Sequence, residues 1–209
     1  MMATYILMAV IAYAIGSVNF SVIISKKMAG FDVREKGSGN AGTTNMLRSV
    51  GKGPAALTLV LDILKGVLAI LIAKFIVGNI ATEANSAILV QIAGFFAVVG
   101  HTFPVFFGFK GGKGVATSLG VLLVMNPLIG GICLVFALVV MALTRMVSLG
   151  SIMAAILFPV LTIFIKDNYI DGEYNYIIFG IAMAALVIFN HRSNIKRLYN
   201  GNENKLSLK

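Results

Sequence analysis

The chain has 209 residues, of which 58% are hydrophobic and only 12% charged, with a mean hydropathy of +0.93. Soluble domains carry about 25% charged residues, so this composition excludes one and defines an integral membrane protein. The net charge of +9 does not mark a nucleic-acid binder, because no aromatic-interleaved basic domain stands ready to hold a strand. In a membrane protein, basic residues mark cytoplasmic loops and bind anionic substrates or lipid.

Several apolar runs reach the roughly 20 residues needed to cross a hydrocarbon core. Their period is not strand-like, so helices rather than a barrel satisfy the backbone. The predicted class is all-α and polytopic. No extramembrane segment is long enough to fold alone, which makes residues 1 to 209 a single domain.

Residues 3 to 25 form the first predicted helix. It lacks a basic leader region and a cleavage site, so it stays as a span. Lys26, Lys27, Arg34 and Lys36 follow at once and place its end in the cytoplasm. Next comes a polar island, Gly37 to Arg48, with three glycines, five hydroxyl or amide side chains and one arginine. Its Gly37-Ser-Gly-Asn-Ala-Gly42 matches the pattern G-x-G-x-x-G, but a dinucleotide fingerprint needs a preceding strand, and here predicted membrane helices flank it. The residues read either as a flexible turn, since Gly, Ser and Asn populate turns, or as an oxyanion nest. In the second reading Ser38 donates and Arg48 supplies a planar, bidentate charge.

Residues 55 to 77 make the second helix, opened by Pro54 in its first turn. Asp62 and Lys65, three apart inside it, are placed to pair with each other. Residues 78 to 84, with Glu83, form an outer link, and residues 85 to 106 return as the third helix. His101, in Gly100-His-Thr-Phe-Pro104, caps that helix and is expected to make a structural hydrogen bond. Lys110-Gly-Gly-Lys113-Gly then falls short of a P-loop, because Gly114 stands where Ser or Thr is required. Lys110, Gly112 and Lys113 still belong to glycine-rich backbone running into a helix amino end, where N–H groups and dipole favour phosphate. Lys113 is the nearer cation. The competing reading of both lysines is a topology signal.

Read as one helix, residues 115 to 144 would put Arg145 outside, the acidic stretch Asp167-Asp171-Glu173 inside and the basic tail outside. Asn126-Pro127 offers a break, since proline disrupts a helix interior and its predecessor avoids the α region. Splitting there gives helices at 115 to 125, 127 to 144, 148 to 166 and 174 to 190. Seven helices result, with the amino terminus outside and the carboxyl terminus in the cytoplasm. Fourteen basic residues then face the cytoplasm, against Lys74 and Lys166 outside. The fourth helix, at about 1.5 Å per residue, is either re-entrant or set in thinned bilayer. A five-span arrangement with re-entrant pieces keeps the same parity.

The last polar stretch, His191-Arg-Ser-Asn194-Ile-Lys-Arg197, sits at a helix end with His191 and Asn194 on one face. Arg192, Lys196 and Arg197 also suit a stop-transfer and lipid anchor. With two histidines, one cysteine (Cys133, inside an apolar run) and no carboxylate cluster, no metal site is proposed and no cofactor is implied. Neither histidine is followed by aspartate after four intervening residues, which argues against the glycerolipid acyltransferases that carry such a pair.

Taken in order, Gly16-Ser17, Gly37 to Asn45 with Arg48, Gly100-His-x-Phe-Pro104 leading to Phe109-Lys-Gly-Gly-Lys-Gly-Val-Ala-Thr117, and His191-Arg-x-Asn-Ile-x-Arg-Leu198 with Gly201-x-Glu203 closely resemble one family. These are the bacterial acyl-phosphate:glycerol-3-phosphate acyltransferases, the PlsY family. The match covers nearly the whole chain, and Thr43 in place of alanine is its one mild departure. The resemblance implies a multi-pass enzyme of the bacterial inner membrane, active on the cytoplasmic side. It would transfer a fatty acyl group from acyl phosphate to the 1-hydroxyl of glycerol 3-phosphate, giving lysophosphatidic acid and phosphate, without acyl-CoA or acyl carrier protein as direct donor. Its functional positions map to Ser38, Arg48, Lys113, His191 and Asn194, with Asn40, Thr44 and Asn45 in support. His191, Asn194 and Ser38 are the expected catalytic residues. Arg48, Lys113, Asn40, Thr44, Asn45, Lys110 and Gly112 are expected to bind substrate. The implied partners are the two substrates and membrane lipid, with no nucleic acid and no obligatory protein. A small transporter of an organic phosphate would use the same cationic pocket, but would need gates on both faces.

Overall fold

The computed structural model describes residues 2–81, 84–165 and 173–206. Among these every regular element is helical. The chain packs as two compact units, Met1–Val124 and Met125–Lys209.

In the first unit, α1 (Met2–Gly16) and α2 (Phe20–Ala29) replace the single helix expected over 3 to 25. The cause of the break is local. Asn19 caps α2, its Oδ1 accepting from the Val22 N–H at 3.2 Å and from Ser21 Oγ at 2.8 Å, and such a cap holds its residue out of the helical region. α3 (Thr43–Ser49) lies within the polar island, and α4 (Lys52–Asn79) follows with Pro54 in its first turn. α5 (Ser86–Thr102) is capped by Asn85 and packs against both α1 and α4. Gly16 and Gly100 let α1 and α5 touch backbone to backbone, for a methyl group on Gly16 would overlap the Ala97 carbonyl and one on Gly100 the Tyr13 carbonyl. Small residues at a crossing are how membrane helices gain close packing where lipid offers no hydrophobic contrast. α6 (Val115–Met125) is the short helix expected there.

The second unit opens at the expected break. Asn126 caps α7 (Pro127–Thr144), its Oδ1 accepting from the Ile129 N–H at 2.9 Å, and Pro127 takes the first helical position. Arg145, at φ 60°, turns the chain into α8 (Val147–Phe164). α9 (Glu173–Asn190) packs on α8 through Phe158, Tyr176 and Phe179, whose ring centroids lie 5.8 to 6.0 Å apart. α10 (Arg192–Tyr199) then leaves α9 at a 64° bend. The tail returns to the start of α8, with the Leu206 N–H donating to the Arg145 carbonyl at 2.8 Å.

Among the described residues, five stretches are long and apolar enough to cross a membrane: Met2–Ala29, Lys52–Asn79, Ser86–Phe107, Pro127–Thr144 and Val147–Phe164. The bent pair formed by Tyr176–Asn190 and Arg192–Tyr199 makes up to six. α6, with 11 residues, is about 16 Å long at 1.5 Å per residue, half a hydrocarbon core. Each predicted region contains helix, in an all-α membrane protein, but five of the seven, or six with the bent pair, have the length and hydropathy of a span among the described residues. Lys166, Asp167, Asp171 and Glu83, which entered the charge argument, lie outside the described residues.

Candidate active site

The first polar stretch is built on a short 3₁₀ turn, Val33–Glu35. Asp32 caps it and grips Arg34 three times, accepting from its N–H at 3.0 Å, Nε at 3.0 Å and Nη2 at 2.8 Å. The hydrogen bonds from Arg34 hold the Asp32 carboxyl at a pKa of about 2, against the opposing effect of partial burial, with Lys26 adding a 3.5 Å ion pair. Arg34 is correspondingly raised by that carboxylate. So fixed, Arg34 Nη1 reaches the second polar stretch, donating to the Phe107 carbonyl at 2.7 Å and the Lys110 carbonyl at 3.0 Å.

Asn45 organises the glycine-rich part. It is 1% exposed, and its Nδ2 donates to the carbonyls of Val33 at 2.8 Å and Lys36 at 3.0 Å. Its Oδ1 accepts from the Ser38 N–H at 2.9 Å. Gly37 is required between them, since its φ is 58° and a side chain there would overlap Asn45 Oδ1. Asn45 therefore shapes the loop from below, while Ser38 stands exposed above it and Asn40 and Thr44 are half-buried. Thr44 and Arg48, one helical turn apart on α3, share a face, and Arg48 is exposed.

The second stretch folds back on the end of α5. The N–H groups of Gly111 and Gly112 donate to the carbonyls of Thr102 at 3.1 Å and His101 at 3.2 Å. Gly112 is buried so tightly that a methyl group would overlap His101 Nε2 and come within 2.8 Å of the Ala41 carbonyl. Lys110 is exposed and Lys113 half-buried. The first and second polar stretches thus meet, joined by Arg34 at Lys110 and by Ala41 at Gly112.

The third stretch is built within the second unit. His191 occupies the bend between α9 and α10, 3% exposed, with Nδ1 2.8 Å from the Val187 carbonyl. A carbonyl only accepts, so Nδ1 carries the proton, and in the neutral ring the lone pair falls on Nε2. Asn194, 5% exposed, donates through Nδ2 to Glu203 Oε1 at 2.7 Å. The same carboxylate accepts from Ser148 Oγ at 2.9 Å and from Arg197 Nε at 2.9 Å. Burial pushes Glu203 up, but the hydrogen bonds from Asn194, Ser148 and Arg197 outweigh it, and the carboxyl is held below its ordinary value. Exposed Arg192 covers the Phe189 ring at 4.6 Å.

Residue-type reasoning left three of these positions without a role. In sequence Arg34 is only a topology charge, although the Asp32-x-Arg34 spacing is that of a side chain paired to its own turn. Glu203 entered only through the family motif, although a single acid among tail cations signals a buried acceptor. Ser148 gives no sequence signal at all. Among the described residues no group of three His, Cys, Asp or Glu side chains is placed to hold a metal.

Helices long and apolar enough to cross a membrane, joined by polar loops rich in cations, define an integral membrane protein. The family model for glycerol-3-phosphate acyltransferase matches residues 6–201. The chain is 43% identical to the glycerol-3-phosphate acyltransferase of Clostridioides difficile (strain 630), over 99% of this chain and 97% of that one. It is 46% identical to that of Thermoanaerobacter sp. (strain X514), over 98% and 96%. The crystal structure of PlsY (YgiH), an integral membrane glycerol 3-phosphate acyltransferase, in its glycerol 3-phosphate form, is similar with a TM-score of 0.83 at 37% identity, covering 97% of this chain and 96% of that one. Its lysophosphatidic acid form is similar with a TM-score of 0.81 at 36% identity, covering 97% and 95%. The chain belongs to the glycerol-3-phosphate acyltransferase family, of the PlsY type.

Proposed function

We propose that this protein transfers an acyl group from acyl phosphate to the 1-hydroxyl of sn-glycerol 3-phosphate, releasing lysophosphatidic acid and phosphate. The observation that carries the reading is the joining of the stretches at 37–48 and 110–113 by Arg34 and at Gly112, which supports a phosphate site drawn from both, with Ser38, Arg48 and Lys113 as its donors. The glycerol 3-phosphate and lysophosphatidic acid forms of the similar solved structure support the same substrate and product.

An acyl phosphate is a mixed anhydride with a good leaving group, so no covalent enzyme intermediate is needed, and positioning with charge neutralisation supplies the rate. The hydroxyl oxygen of glycerol 3-phosphate attacks the acyl carbonyl carbon and a C–O ester bond forms. The C–O bond to phosphate breaks, its electron pair leaving on the phosphate. The hydroxyl proton passes to His191 Nε2, the ring position that its Nδ1 contact leaves as acceptor; a substrate phosphate oxygen is the other candidate base. Ser38, Arg48 and Lys113 hold the phosphates, with Asn40, Thr44, Lys110 and Gly112 completing that wall and Asn45 holding Ser38 in place. Asn194, oriented by Glu203, aligns the glycerol.

The reaction needs no cofactor. It takes place on the cytoplasmic side of the bacterial inner membrane, in one domain whose seven helices run from an outer amino terminus to an inner carboxyl terminus. A family model continuous across both units supports the single-domain reading. The decisive assay offers purified protein palmitoyl phosphate or palmitoyl-CoA together with glycerol 3-phosphate in detergent. Lysophosphatidic acid is expected from the phosphate alone. Product from the thioester would overturn the donor, and gradient-driven uptake by sealed vesicles without product would reveal a transporter.

A further inference from the structure

Beside the Lys110–Gly114 turn, the first unit buries three titratable side chains that the proposed reaction does not use. Lys65 Nζ lies 2.9 Å from Asp62 Oδ1 and donates to the Val18 carbonyl, freed by the α1–α2 break, at 2.8 Å. The same Asp62 oxygen is 3.4 Å from His101 Nδ1. None of the three is more than 5% exposed. The carbonyl at the break accounts for a lysine, and the lysine for an aspartate, since buried charges require partners. Neither accounts for the histidine, because an apolar side chain would fill that volume without burying a second polar edge.

The other side of the ring supplies the reason. Its Nε2 edge lies against Gly112, with no room for even a methyl group between them, and the His101 carbonyl accepts from the Gly112 N–H at 3.2 Å. The turn is gripped at Lys110 by Arg34 and seated at Gly112 by His101, whose ring Asp62 and Lys65 fix from behind. Lys113 is the next residue.

We propose that Asp62, Lys65 and His101 form a buried support that sets the position of the turn at residues 110–114, so that Lys113 meets the phosphate of glycerol 3-phosphate in place. His101 is then a positioning residue. The inference rests on the reading of that turn as a phosphate-binding element.

Two variants of the full-length protein in detergent separate support from mere folding. His101→Asn keeps an amide facing Asp62 but removes the ring edge at Gly112. It is expected to raise KM for glycerol 3-phosphate by about tenfold or more, the scale of a small misplacement in a site, with kcat within about twofold and an unchanged thermal midpoint. His101→Gln keeps a polar group near Nε2 and gives up the one facing Asp62; it is expected to lower the midpoint with KM near that of the parent. A parental KM in His101→Asn, a reversal of the two patterns, or loss of folded protein in both variants would overturn the proposal. Lys113→Ala is the control. If its KM for glycerol 3-phosphate is unchanged, the phosphate-binding reading itself fails; if it rises while His101→Asn does not, only the support fails.

Discussion

At the scale of single residues, the third polar stretch depends on two acceptors. The Val187 carbonyl fixes the His191 tautomer, so replacing the ring removes the base of the proposed reaction. His191→Ala is expected to lower kcat by about 10²–10⁴-fold, the usual worth of a general base, with KM changed little. Full turnover in initial-rate assays would transfer the proton to a substrate phosphate oxygen. Glu203 is the second acceptor, and it orients Asn194 while satisfying Ser148 and Arg197. Its folded pKa lies below the ordinary 4.5, so ionisation stabilises the fold above that value and the contribution is lost as pH falls through the folded value. Thermal midpoints measured from pH 7 to pH 3 should therefore drop below pH 4.5 in the parent. Glu203→Gln should start lower at pH 7, because its amide presents a donor to Arg197, and should follow a flatter profile. Residue types alone located His191 and Asn194, polar groups at an apolar helix end, but Glu203 emerges only once the tail folds back on α8. Its partner Ser148 is indistinguishable in sequence from any small helix residue.

At the scale of elements, proline, asparagine and apolar run length were enough to place every predicted helical region. The Asn126-Pro127 break was legible because its chemistry is local: a side-chain cap followed by a residue with no N–H to lose. The break at residues 17 to 19 was not legible, since Ser17, Val18 and Asn19 interrupt an apolar run only weakly. Beside the local Asn19 cap, it is also stabilised at a distance, by Lys65 on α4. The α1–α5 crossing was likewise hidden, because a glycine states that a side chain is missing without saying what fills the space. Gly100→Leu should force those helices apart, where the Tyr13 carbonyl now leaves no room. A cost of roughly 1–3 kcal/mol, typical of overpacking, should appear as a lower thermal midpoint in detergent. An unchanged midpoint would show that the crossing relaxes freely.

For the whole molecule, the charge pattern makes a prediction about sidedness. In a Cys133→Ser background, single cysteines replacing exposed Lys36, Phe109 and Lys205 should be modified by an impermeant maleimide only from the cytoplasmic side. One replacing Ile80, which is 70% exposed, should react only from the other. Labelling of Phe109→Cys and Lys205→Cys from opposite sides would dismantle the shared cytoplasmic location of the two loops. The class of protein was legible because it follows from composition, and the family because its motifs recur along the chain. The wiring between loops was not, since Arg34 on Lys110 links positions 76 residues apart.

The bond between Leu206 and Arg145 has a practical corollary for anyone cutting or tagging this enzyme. Residues after the last described helix are a strap whose carboxylate and main chain fasten to α8 and to the loop before it. Clipping between Tyr199 and Glu203 would leave every side chain proposed for catalysis on the polypeptide and yet release Asn194 from its holder. A shortened protein could then keep its helices and its place in the membrane while losing turnover.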